Sequence, residues 1–425
     1  MDRKTSYCPE LPAETVILEE GEKVLFLVPS RPDWLVTNKN VAELLRLCNG
    51  QNTKQDIYKM IQGHGQAPEA MRILHKLIDD GFFDEDAPES QFTATNAVNS
   101  IHLNMTADCN LQCIYCYAEE RNAPDRNKMT YAEYISLIDC IHNLNDRAVI
   151  TFTGGEPLLN ADTIPVAAYC KSKGLATFLL TNALAINKNN VLKIAQLFDT
   201  IRISVDGCSP ATHDKHRGAG SYRKVMGALK LLEAHGADPL IAMTVTKWNV
   251  HEIQGMAERF GNRLTFQPLY EVGKARQRGL GLSGVQYFEA LRGASGVEPY
   301  GRIAQRLASM KKRGCGRCAI GEGEISVSPS GDVYPCHMLH VSQFCAGNIR
   351  EQAFDEIYSD SKVLKDIRKL SVNTRTECRE CPVRLLCSGG CWARAFYAHG
   401  DLNAADDFCD YEILAFKEGL LRSEF

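Results

Sequence analysis

The stretch Cys109–Glu120 reads CNLQCIYCYAEE and carries three cysteines, Cys109, Cys113 and Cys116, in the spacing C-x₃-C-x₂-C. Zinc sites and ordinary iron–sulfur clusters usually take four protein ligands. Three thiolates on one loop can hold three irons of a 4Fe–4S cluster and leave the fourth iron free for a small chelating ligand. Because an open position on a metal normally serves chemistry, the spacing predicts a reactive metal centre. A zinc site completed by a distant fourth ligand is the alternative.

The composition is typical of a globular protein of the cytoplasm. A chain of 425 residues is too long for one compact core, so about two to three domains are expected. The net charge is −4, from 48 basic and 52 acidic residues, which gives no global basic field for nucleic acid or membranes. The opening MDRKTSYCPE lacks the apolar region of a signal peptide, and no run of 18 apolar residues predicts a membrane span. We therefore expect a cytoplasmic protein that binds neither nucleic acid nor membrane.

The chain has 17 cysteines, which in a reducing compartment are more often metal ligands or catalytic groups than disulfides. Besides the three in the opening stretch, nine lie after residue 314. Five others are isolated, and we expect buried or unreactive thiols there because free cysteine behaves as a small hydrophobe: Cys8, Cys48, Cys140, Cys170 and Cys208.

Residues 1–95 are expected to form a first domain and its linker. The short β-rich runs ETVILEE, KVLFLV and DWLVT come first, with a hairpin turn at Gly21. Three helical patterns follow, of which the first begins after a predicted N-cap at Asn38 and the second after Thr53. Three strands followed by three short helices are typical of a winged helix.

Residues 96–310 alternate between strands and helices, which favours a parallel sheet curled toward a barrel. The strand candidates are IHLNMT, AVITFT, ATFLLT, TIRISVDG, PLIAMTV and LTFQPL. In such folds ligands bind at the carboxyl ends of the strands. The three-cysteine loop follows the first strand, the GGEP sequence at 154–157 follows the second, and the Asp-Gly pair at 206–207 follows the fourth. These segments are therefore expected to meet.

With Tyr115 between its last two cysteines, the loop resembles the C-x₃-C-x-aromatic-C motif of the radical S-adenosylmethionine (radical SAM) superfamily. The resemblance implies that the methionyl amine and carboxylate chelate the open iron, and that an external reductant of the flavodoxin or ferredoxin type supplies the electron. Cleavage then releases a 5′-deoxyadenosyl radical, which abstracts a hydrogen atom. It also implies S-adenosylmethionine contacts at the GGEP motif, a partial Thr-Asn-Gly turn, and later strand ends: Gly154, Gly155, Glu156, Asn182, Ser204, Asp206 and Arg217.

Residues 311–425 resemble the SPASM extension of radical SAM enzymes, in which cysteines bind auxiliary clusters. The family's interleaved ligation implies one 4Fe–4S cluster at Cys315, Cys318, Cys336 and Cys391, and a second at Cys378, Cys381, Cys387 and Cys409. Two zinc sites are the alternative, because zinc also accepts four thiolates in a tetrahedral arrangement. Cys345 is left over and is expected to be a plain thiol.

The first domain resembles the PqqD-like domains that bind leader peptides of ribosomally synthesised precursors. The resemblance is carried by its element order and by the stretch LVTNKNVAELLRLCNGQNTKQDI. It implies that the edge at 33–37 pairs with an extended leader. A structural cap, or a winged helix bound to DNA, is the alternative, but no strongly basic recognition helix is present.

Together these resemblances imply an α/β fold: a partial (β/α)₆ TIM-like radical SAM barrel, an N-terminal winged-helix-like domain and a C-terminal SPASM domain, with three 4Fe–4S clusters. The predicted function is an oxidoreductase that installs a thioether or carbon–carbon cross-link in a precursor peptide. A maturase of an enzyme, as in formylglycine formation in sulfatases, and a non-catalytic metal-binding or electron-transfer module are the alternatives. Glu271, Lys274 and Arg276 are candidates for the substrate side, unless they form a solvated loop.

Overall fold

The computed structural model describes residues 7–31, 33–62, 67–84, 98–117, 127–299, 303, 307 and 318–422. Its strands form a three-stranded and a nine-stranded sheet. The strands are β1 (Val16–Glu20), β2 (Lys23–Val28), β3 (Asp33–Asn38), β4 (Ser100–Thr106), β5 (Val149–Gly154), β6 (Ala176–Thr181), β7 (Thr200–Ser204), β8 (Leu240–Val245), β9 (Leu264–Pro268), β10 (Glu324–Val327), β11 (Asp332–Tyr334) and β12 (Gly347–Asn348).

Between β4 and β9 the helices alternate with the strands, as the sequence predicts. Within the described ranges no helix is both long and apolar enough to cross a membrane. The α-helices are α1 (Lys39–Arg46), α2 (Lys54–Ile61), α3 (Ala67–Asp79), α4 (Tyr131–Leu144), α5 (Thr163–Ser172), α6 (Val191–Leu197), α7 (Pro210–Arg217), α8 (Ser221–Ala234), α9 (Ile253–Phe260), α10 (Lys274–Arg278), α11 (Gly284–Arg292), α12 (Phe354–Asp360), α13 (Lys362–Arg368), α14 (Arg384–Cys387), α15 (Trp392–His399) and α16 (Cys409–Arg422).

The N-terminal unit has three antiparallel strands followed by three helices, as predicted. The hairpin between β1 and β2 turns at Gly21, whose φ of 60° lies in the left-handed region that glycine tolerates. Asn38 caps α1, since its side chain accepts a hydrogen bond of 3.0 Å from Val41 N. Thr53 and Asp56 form a capping box at the start of α2. These local interactions explain why the sequence patterns locate the elements correctly.

Both faces of β2 are buried, and each face contributes to a different core. Val24 and Phe26 pack against the helices of the N-terminal unit. Leu25 and Leu27 belong to the main core of the protein. On that side β2 and β3 contact α16, and Lys23 Nζ donates a hydrogen bond of 2.8 Å to the carbonyl of Leu421. The N-terminal sheet is thereby joined to the C-terminal helix.

The centre of the molecule is a ladder of six parallel strands, β4 to β9, in sequence order. All six correspond to predicted strands, and the partial (β/α)₆ arrangement is confirmed. Side chains of one face, such as Ile101, Leu103 and Phe152, pack with the helices in the main core. Because successive residues of a strand point to opposite faces, His102 and Thr151, which pair across β4 and β5, face the concave interior.

The C-terminal region extends this sheet, which the sequence did not predict. Strand β10 pairs parallel to β4, and β11 and β12 continue antiparallel beyond it. Asn104 Nδ2 on β4 donates to Ser326 Oγ at 3.0 Å and to the carbonyl of Val327 at 3.1 Å. These strands have four, three and two residues, too few to show a period in sequence. The C-terminal region therefore continues the wall of the barrel.

We expect Glu133→Gln to lower the melting temperature of the anaerobic protein by about 1–2 °C at pH 7. Arg350, after β12, donates to both oxygens of Glu133 on α4, at 2.5 and 3.1 Å. This hydrogen bonding lowers the pKa of Glu133 to about 2. A lowered folded-state pKa stabilises the protein fully above the unfolded value, so the effect is complete at pH 7.

The matched control is Glu69→Gln, which removes a similar two-bond contact to Arg72 on the exposed surface of α3. An exposed pair contributes little, so this variant should melt with the wild type. Equal melting of all three proteins would contradict the role of Arg350 in fixing the C-terminal region to the barrel.

Candidate functional site

A cavity of about 480 Å³ lies at the carboxyl ends of the parallel strands. Most of the sequence motifs reach it, as the strand-end argument predicts. Its wall also includes side chains from the loop after β9 and from the C-terminal region. The residues that line it include Cys109, Cys113, Tyr115, Cys116, Gly154, Gly155, Asn182, Arg202, Ser204, Arg217, Thr244, Tyr270, Lys274, His337 and Met338.

The three-cysteine loop forms one side of this cavity. Burial raises the pKa of Cys109, and raises that of Cys113 to about 11 against the opposing effect of Arg217. These thiols are therefore protonated at neutral pH in the metal-free protein. Metal binding requires the thiolate and releases the protons. Three converging sulfurs on a single loop, with a cation nearby, fit an anionic iron–sulfur cluster.

The two glycines of the GGEP motif hold the three-cysteine loop by direct backbone contact. Gly155 N donates to the carbonyl of Thr106 at 2.7 Å, and Glu156 N donates to the carbonyl of Asp108 at 2.8 Å. A Cβ atom on Gly155 would lie 2.2 Å from the carbonyl oxygen of Asp108. Gly154 has a φ of 123°, and a Cβ there would lie 2.4 Å from the carbonyl oxygen of Thr106. Only glycine permits this approach.

Glu156 is completely buried, and its carboxylate is engaged by the protein. It accepts hydrogen bonds from Thr181 Oγ1 at 2.7 Å and from Asn182 N at 2.8 Å. Burial raises its pKa, which these hydrogen bonds oppose. The next residue of the turn, Ala183, has a φ of 64°, which explains why glycine is usual at this position of the motif. Glu156 thus fixes the end of β6 from behind the cavity wall.

Asn182 connects this turn to the cysteine loop. Its Nδ2 atom lies 2.8 Å from Asn110 Oδ1 and 3.8 Å from Cys109 Sγ. An amide donor next to a metal-binding sulfur disperses part of the charge on that sulfur. Asn182 is predicted as a contact of S-adenosylmethionine, and the structure shows that it also holds the cysteine loop through Asn110.

A buried ion pair stands beside Cys113. Arg217 Nε donates to Asp206 Oδ2 at 2.5 Å, and Arg217 Nη2 donates to the Tyr115 hydroxyl at 2.6 Å. Asp206 is completely buried and also accepts from Thr244 N at 2.9 Å. Burial raises the pKa of Asp206, but the charge of Arg217 together with the hydrogen bond from Tyr115 outweighs burial, and the pKa falls. Asp206 therefore orients Arg217, which lines the cavity with its Nη1 atom 4.0 Å from Cys113 Sγ.

The charged group after β9 only partly matches its predicted place in a loop on the substrate side, because Lys274 and Arg276 lie on the short helix α10. Lys274 lines the cavity. Glu271 instead accepts a hydrogen bond of 2.9 Å from Gly281 N, and Arg276 Nη2 donates to the carbonyl of Tyr397 at 2.9 Å. These two side chains hold α10 and the loop before it in place, so Lys274 is the better candidate for contact with substrate.

Three cysteines of the first auxiliary set, Cys318, Cys336 and Cys391, pack into one apolar cluster. Cys315 lies outside the described residues. Burial, then Glu324 and the other two thiols, raise the pKa of Cys336 well above its usual value. Nearby, Arg394 Nη1 is buried and has no hydrogen-bond partner among the described residues. A buried donor beside converging thiols fits a bound anionic cluster.

The second auxiliary set lies between α14 and α16. Burial, Asp406 and the thiols of Cys378 and Cys381 raise the pKa of Cys409 to about 12. Cys378 and Cys381 are joined by a backbone hydrogen bond of 3.0 Å. Cys387 Sγ accepts from Gly390 N at 3.1 Å. The thiols of Cys378, Cys381 and Cys409 influence one another electrostatically, as neighbouring ligands of one metal centre do.

A group that the sequence did not reveal joins the barrel to the C-terminal region. Glu324 Oε1 lies 2.8 Å from His337 Nδ1 and 3.7 Å from His102 Nε2. The two imidazoles stack with ring centres 4.5 Å apart and an interplanar angle of 18°. Because a ring nitrogen binds metal in its ring plane, nearly parallel stacked rings cannot easily share an ion. Burial, then His337, lower the pKa of His102 to about 4, so its ring is neutral at pH 7.

Two of the isolated cysteines, Cys48 and Cys170, are buried, as predicted. Burial raises the pKa of both to about 12, which makes them unreactive at neutral pH. The thiols of Cys8, Cys140 and Cys208 are partly exposed. Cys345 Sγ donates to the carbonyl of Gly347 at 3.6 Å.

Comparison with known proteins agrees with this geometry. Residues 103–260 match the profile of the Radical SAM superfamily, and residues 318–382 match that of SPASM, an iron–sulfur cluster-binding domain. The AdoMet-dependent heme synthase of Methanosarcina barkeri is 28% identical over 75% of this chain and 97% of its own length. The mycofactocin maturase of Mycobacterium ulcerans is 26% identical over 72% of this chain and 86% of its own length.

Solved structures of other proteins share the fold. One is anSMEcpe with bound AdoMet, with a TM-score of 0.62 and 21% identity over 76% of this chain and 93% of that chain. Another is SuiB of Streptococcus suis bound to the precursor peptide SuiA, with a TM-score of 0.61 and 14% identity over 94% of this chain and 99% of that chain. The chain therefore carries a Radical SAM domain followed by an iron–sulfur cluster-binding SPASM domain, which makes it a radical SAM enzyme and not a non-catalytic module.

Proposed function

We propose that the protein is a cytoplasmic peptide maturase that forms a thioether or carbon–carbon cross-link in a ribosomally synthesised precursor. The observation that carries this proposal is the cavity, which has the three-cysteine loop on one side and Tyr270, His337 and Met338 beside the second cysteine group on the other. Closing a cross-link removes two hydrogens from the peptide. One leaves as a hydrogen atom to the 5′-deoxyadenosyl radical, and the other leaves as a proton and an electron.

In this proposal Cys109, Cys113 and Cys116 hold the catalytic cluster. Side chains and backbone on the cavity surface bind S-adenosylmethionine, and Arg217 is suited to its carboxylate because guanidinium pairs with carboxylates in a planar, two-bond geometry. Glu156 and Asp206, which are engaged inside the protein, act by holding Asn182 and Arg217. The cavity-surface group comprises Tyr115, Gly154, Gly155, Asn182, Ser204 and Arg217.

The C-terminal cysteines would bind two further 4Fe–4S clusters, which makes three in all. A closed cluster with four protein thiolates carries electrons. The cluster proposed at Cys391 lies beside the cavity, since Tyr270 contacts both, and this position suits it to receive the electron that the peptide loses. Cys315 is the proposed fourth ligand of the set with Cys318, Cys336 and Cys391. A reductant of the flavodoxin or ferredoxin type would supply the electron for S-adenosylmethionine cleavage.

The N-terminal unit is the proposed leader-binding domain. In the described sheet β3 is an edge strand, and an open edge accepts an extended peptide through main-chain hydrogen bonds. The likeness to SuiB, solved with its precursor peptide, covers 94% of this chain. This share is too large to leave out the N-terminal unit, which supports a common architecture.

A heme-forming reaction is the second candidate, favoured by the 28% identity to an AdoMet-dependent heme synthase. The substrate separates the two candidates. A 5′-deoxyadenosine yield that rises with a porphyrin precursor of heme, and not with the peptide encoded beside the gene, would favour the second. A peptide product lighter by two hydrogens would favour the first.

Anaerobic reconstitution with iron and sulfide should give about twelve irons per chain and 5′-deoxyadenosine in the presence of dithionite. Cys113→Ala should lose about four irons and all cleavage, because three ligands are needed for the open cluster. The control is Cys345→Ala, which should keep both. Stoichiometric zinc, or iron without 5′-deoxyadenosine, would contradict the proposal.

Gly155→Ala should lower iron content by about four and abolish S-adenosylmethionine cleavage, since the added Cβ would lie 2.2 Å from the Asp108 carbonyl oxygen and displace the three-cysteine loop. The same substitution at Gly227, in α8, meets open space within 4 Å. Gly227→Ala should therefore keep full iron and activity. If Gly155→Ala behaves like Gly227→Ala, the glycine contact does not position the cysteines.

Replacing Thr37, on β3, by the photoreactive residue p-benzoylphenylalanine should cross-link the full-length protein to a precursor peptide drawn from short open reading frames beside the gene. The same residue at Ile17, on β1 at the opposite edge of the sheet, is the matched control and should give little product. Excess unlabelled leader should suppress the first reaction. Equal cross-linking at both edges would contradict binding at β3. The products are separated by gel electrophoresis and identified by mass spectrometry.

A further inference from the structure

Tyr270 contacts both the cavity and the first auxiliary set of cysteines. It follows β9 by two residues, and its side chain lines the cavity. Its hydroxyl donates a hydrogen bond of 3.4 Å to Cys391 Sγ. A phenol is a stronger donor than it is an acceptor toward sulfur, and sulfur accepts at longer distances than oxygen does. A single side chain therefore separates the cavity from a proposed cluster ligand.

Cys391 is fixed from its other side by a buried charge pair. Its backbone N–H donates to Asp406 Oδ2 at 2.6 Å. Arg394 donates to both oxygens of Asp406, at 2.5 and 2.9 Å. The guanidinium of Arg394 also lies 5.1 Å from the centre of the Tyr270 ring. The ring and the cysteine are thus held by the same pair, which gives the phenol a defined direction toward the sulfur.

The phenol remains a donor at neutral pH. A phenol ionises only near pH ~10, so the O–H group is retained at neutral pH and can donate to the sulfur at 3.4 Å. Simple packing is the competing explanation for Tyr270, because its ring is part of the same apolar cluster as Met338 and Trp392. The position of the hydroxyl distinguishes the two, since packing needs only the ring.

We propose that Tyr270 is a positioning residue that raises the reduction potential of the iron–sulfur cluster bound through Cys391 by donating a hydrogen bond to that sulfur. Hydrogen bonds to the sulfurs are among the factors that set cluster potentials. The bond stabilises the reduced cluster more than the oxidised one, because the reduced cluster carries more negative charge. The inference rests on the proposed ligation of this cluster and extends it to a residue outside the cysteine motif.

The test is a redox titration of the reconstituted full-length protein, followed by electron paramagnetic resonance. Tyr270→Phe keeps the ring and removes the donor. At the potential where the wild-type cluster is half reduced, its reduced-to-oxidised ratio should fall about threefold to tenfold, where tenfold corresponds to 59 mV for one electron. Replacing Tyr270 by 3,5-difluorotyrosine, a stronger donor, should shift the ratio the opposite way. The signal that disappears in Cys391→Ala identifies the cluster.

The matched control is Tyr397→Phe. Its hydroxyl donates to the carbonyl of Met338 at 2.7 Å within the same apolar cluster. This variant loses one phenol hydrogen bond without altering the donor to Cys391 Sγ, so its titration should follow the wild type. Iron and sulfide contents should be equal in all these tyrosine variants, which establishes that the cluster is intact.

An unchanged cluster potential in Tyr270→Phe, or an equal shift in Tyr397→Phe, would overturn the role of Tyr270. The proposed function would still stand in that case if the wild-type protein forms 5′-deoxyadenosine. A wild-type protein without a cluster signal that depends on Cys391 would overturn the ligation and this inference together. A second readout is the number of 5′-deoxyadenosine molecules formed per modified peptide. This ratio should rise in Tyr270→Phe if the lower potential slows removal of the peptide's electron.

Discussion

The contact between two backbone segments, 106–108 and 154–156, determines where the catalytic cysteines lie. The end of β5 donates two hydrogen bonds to the loop after β4, and the space between them is too small for any side chain at Gly155. This contact is made by main-chain atoms, so it has no rotamers that could relax. The cysteine loop is therefore held rigidly against the parallel sheet. Residues at the ends of the later strands line a cavity whose wall is fixed in this way.

Two buried arginine–aspartate ion pairs lie beside proposed metal-binding cysteines, one at the three-cysteine loop and one at the first auxiliary set. Arg217 and Asp206 stand beside Cys113, and Arg394 and Asp406 stand beside Cys391. Burying an ion pair carries a desolvation cost that the pair alone often fails to offset. Asp206 and Asp406 also accept hydrogen bonds from backbone N–H groups, and these bonds reduce that cost. Each cation is thus held next to sulfurs whose charge becomes negative when metal binds.

The sequence located the elements that depend on local interactions and missed those that depend on distant partners. Asn38 and Thr53 marked helix starts because a cap is made within three residues. The strands β10 to β12 are too short to show alternation, and they exist because β4 offers an edge more than 200 residues earlier in the chain. The cofactor contacts named for Glu156 and Asp206 from their motifs stay predictions, and the motifs did not show that protein donors already engage both carboxylates.

The continuous apolar run KVLFLV illustrates why pattern alone could not locate the N-terminal unit on the protein. A strand with one solvated face would alternate, but β2 is buried on both faces, by its own helices and by α16. The N-terminal sheet therefore contributes Leu25 and Leu27 to the main core, while the predicted linker lies outside the described residues. Deleting residues 1–95 would remove Leu25 and Leu27 from the main core, together with the two strands that contact α16. Lost activity after such a deletion would report damaged packing as readily as lost peptide recognition, so point changes at the edge of β3 are the physically cleaner probe.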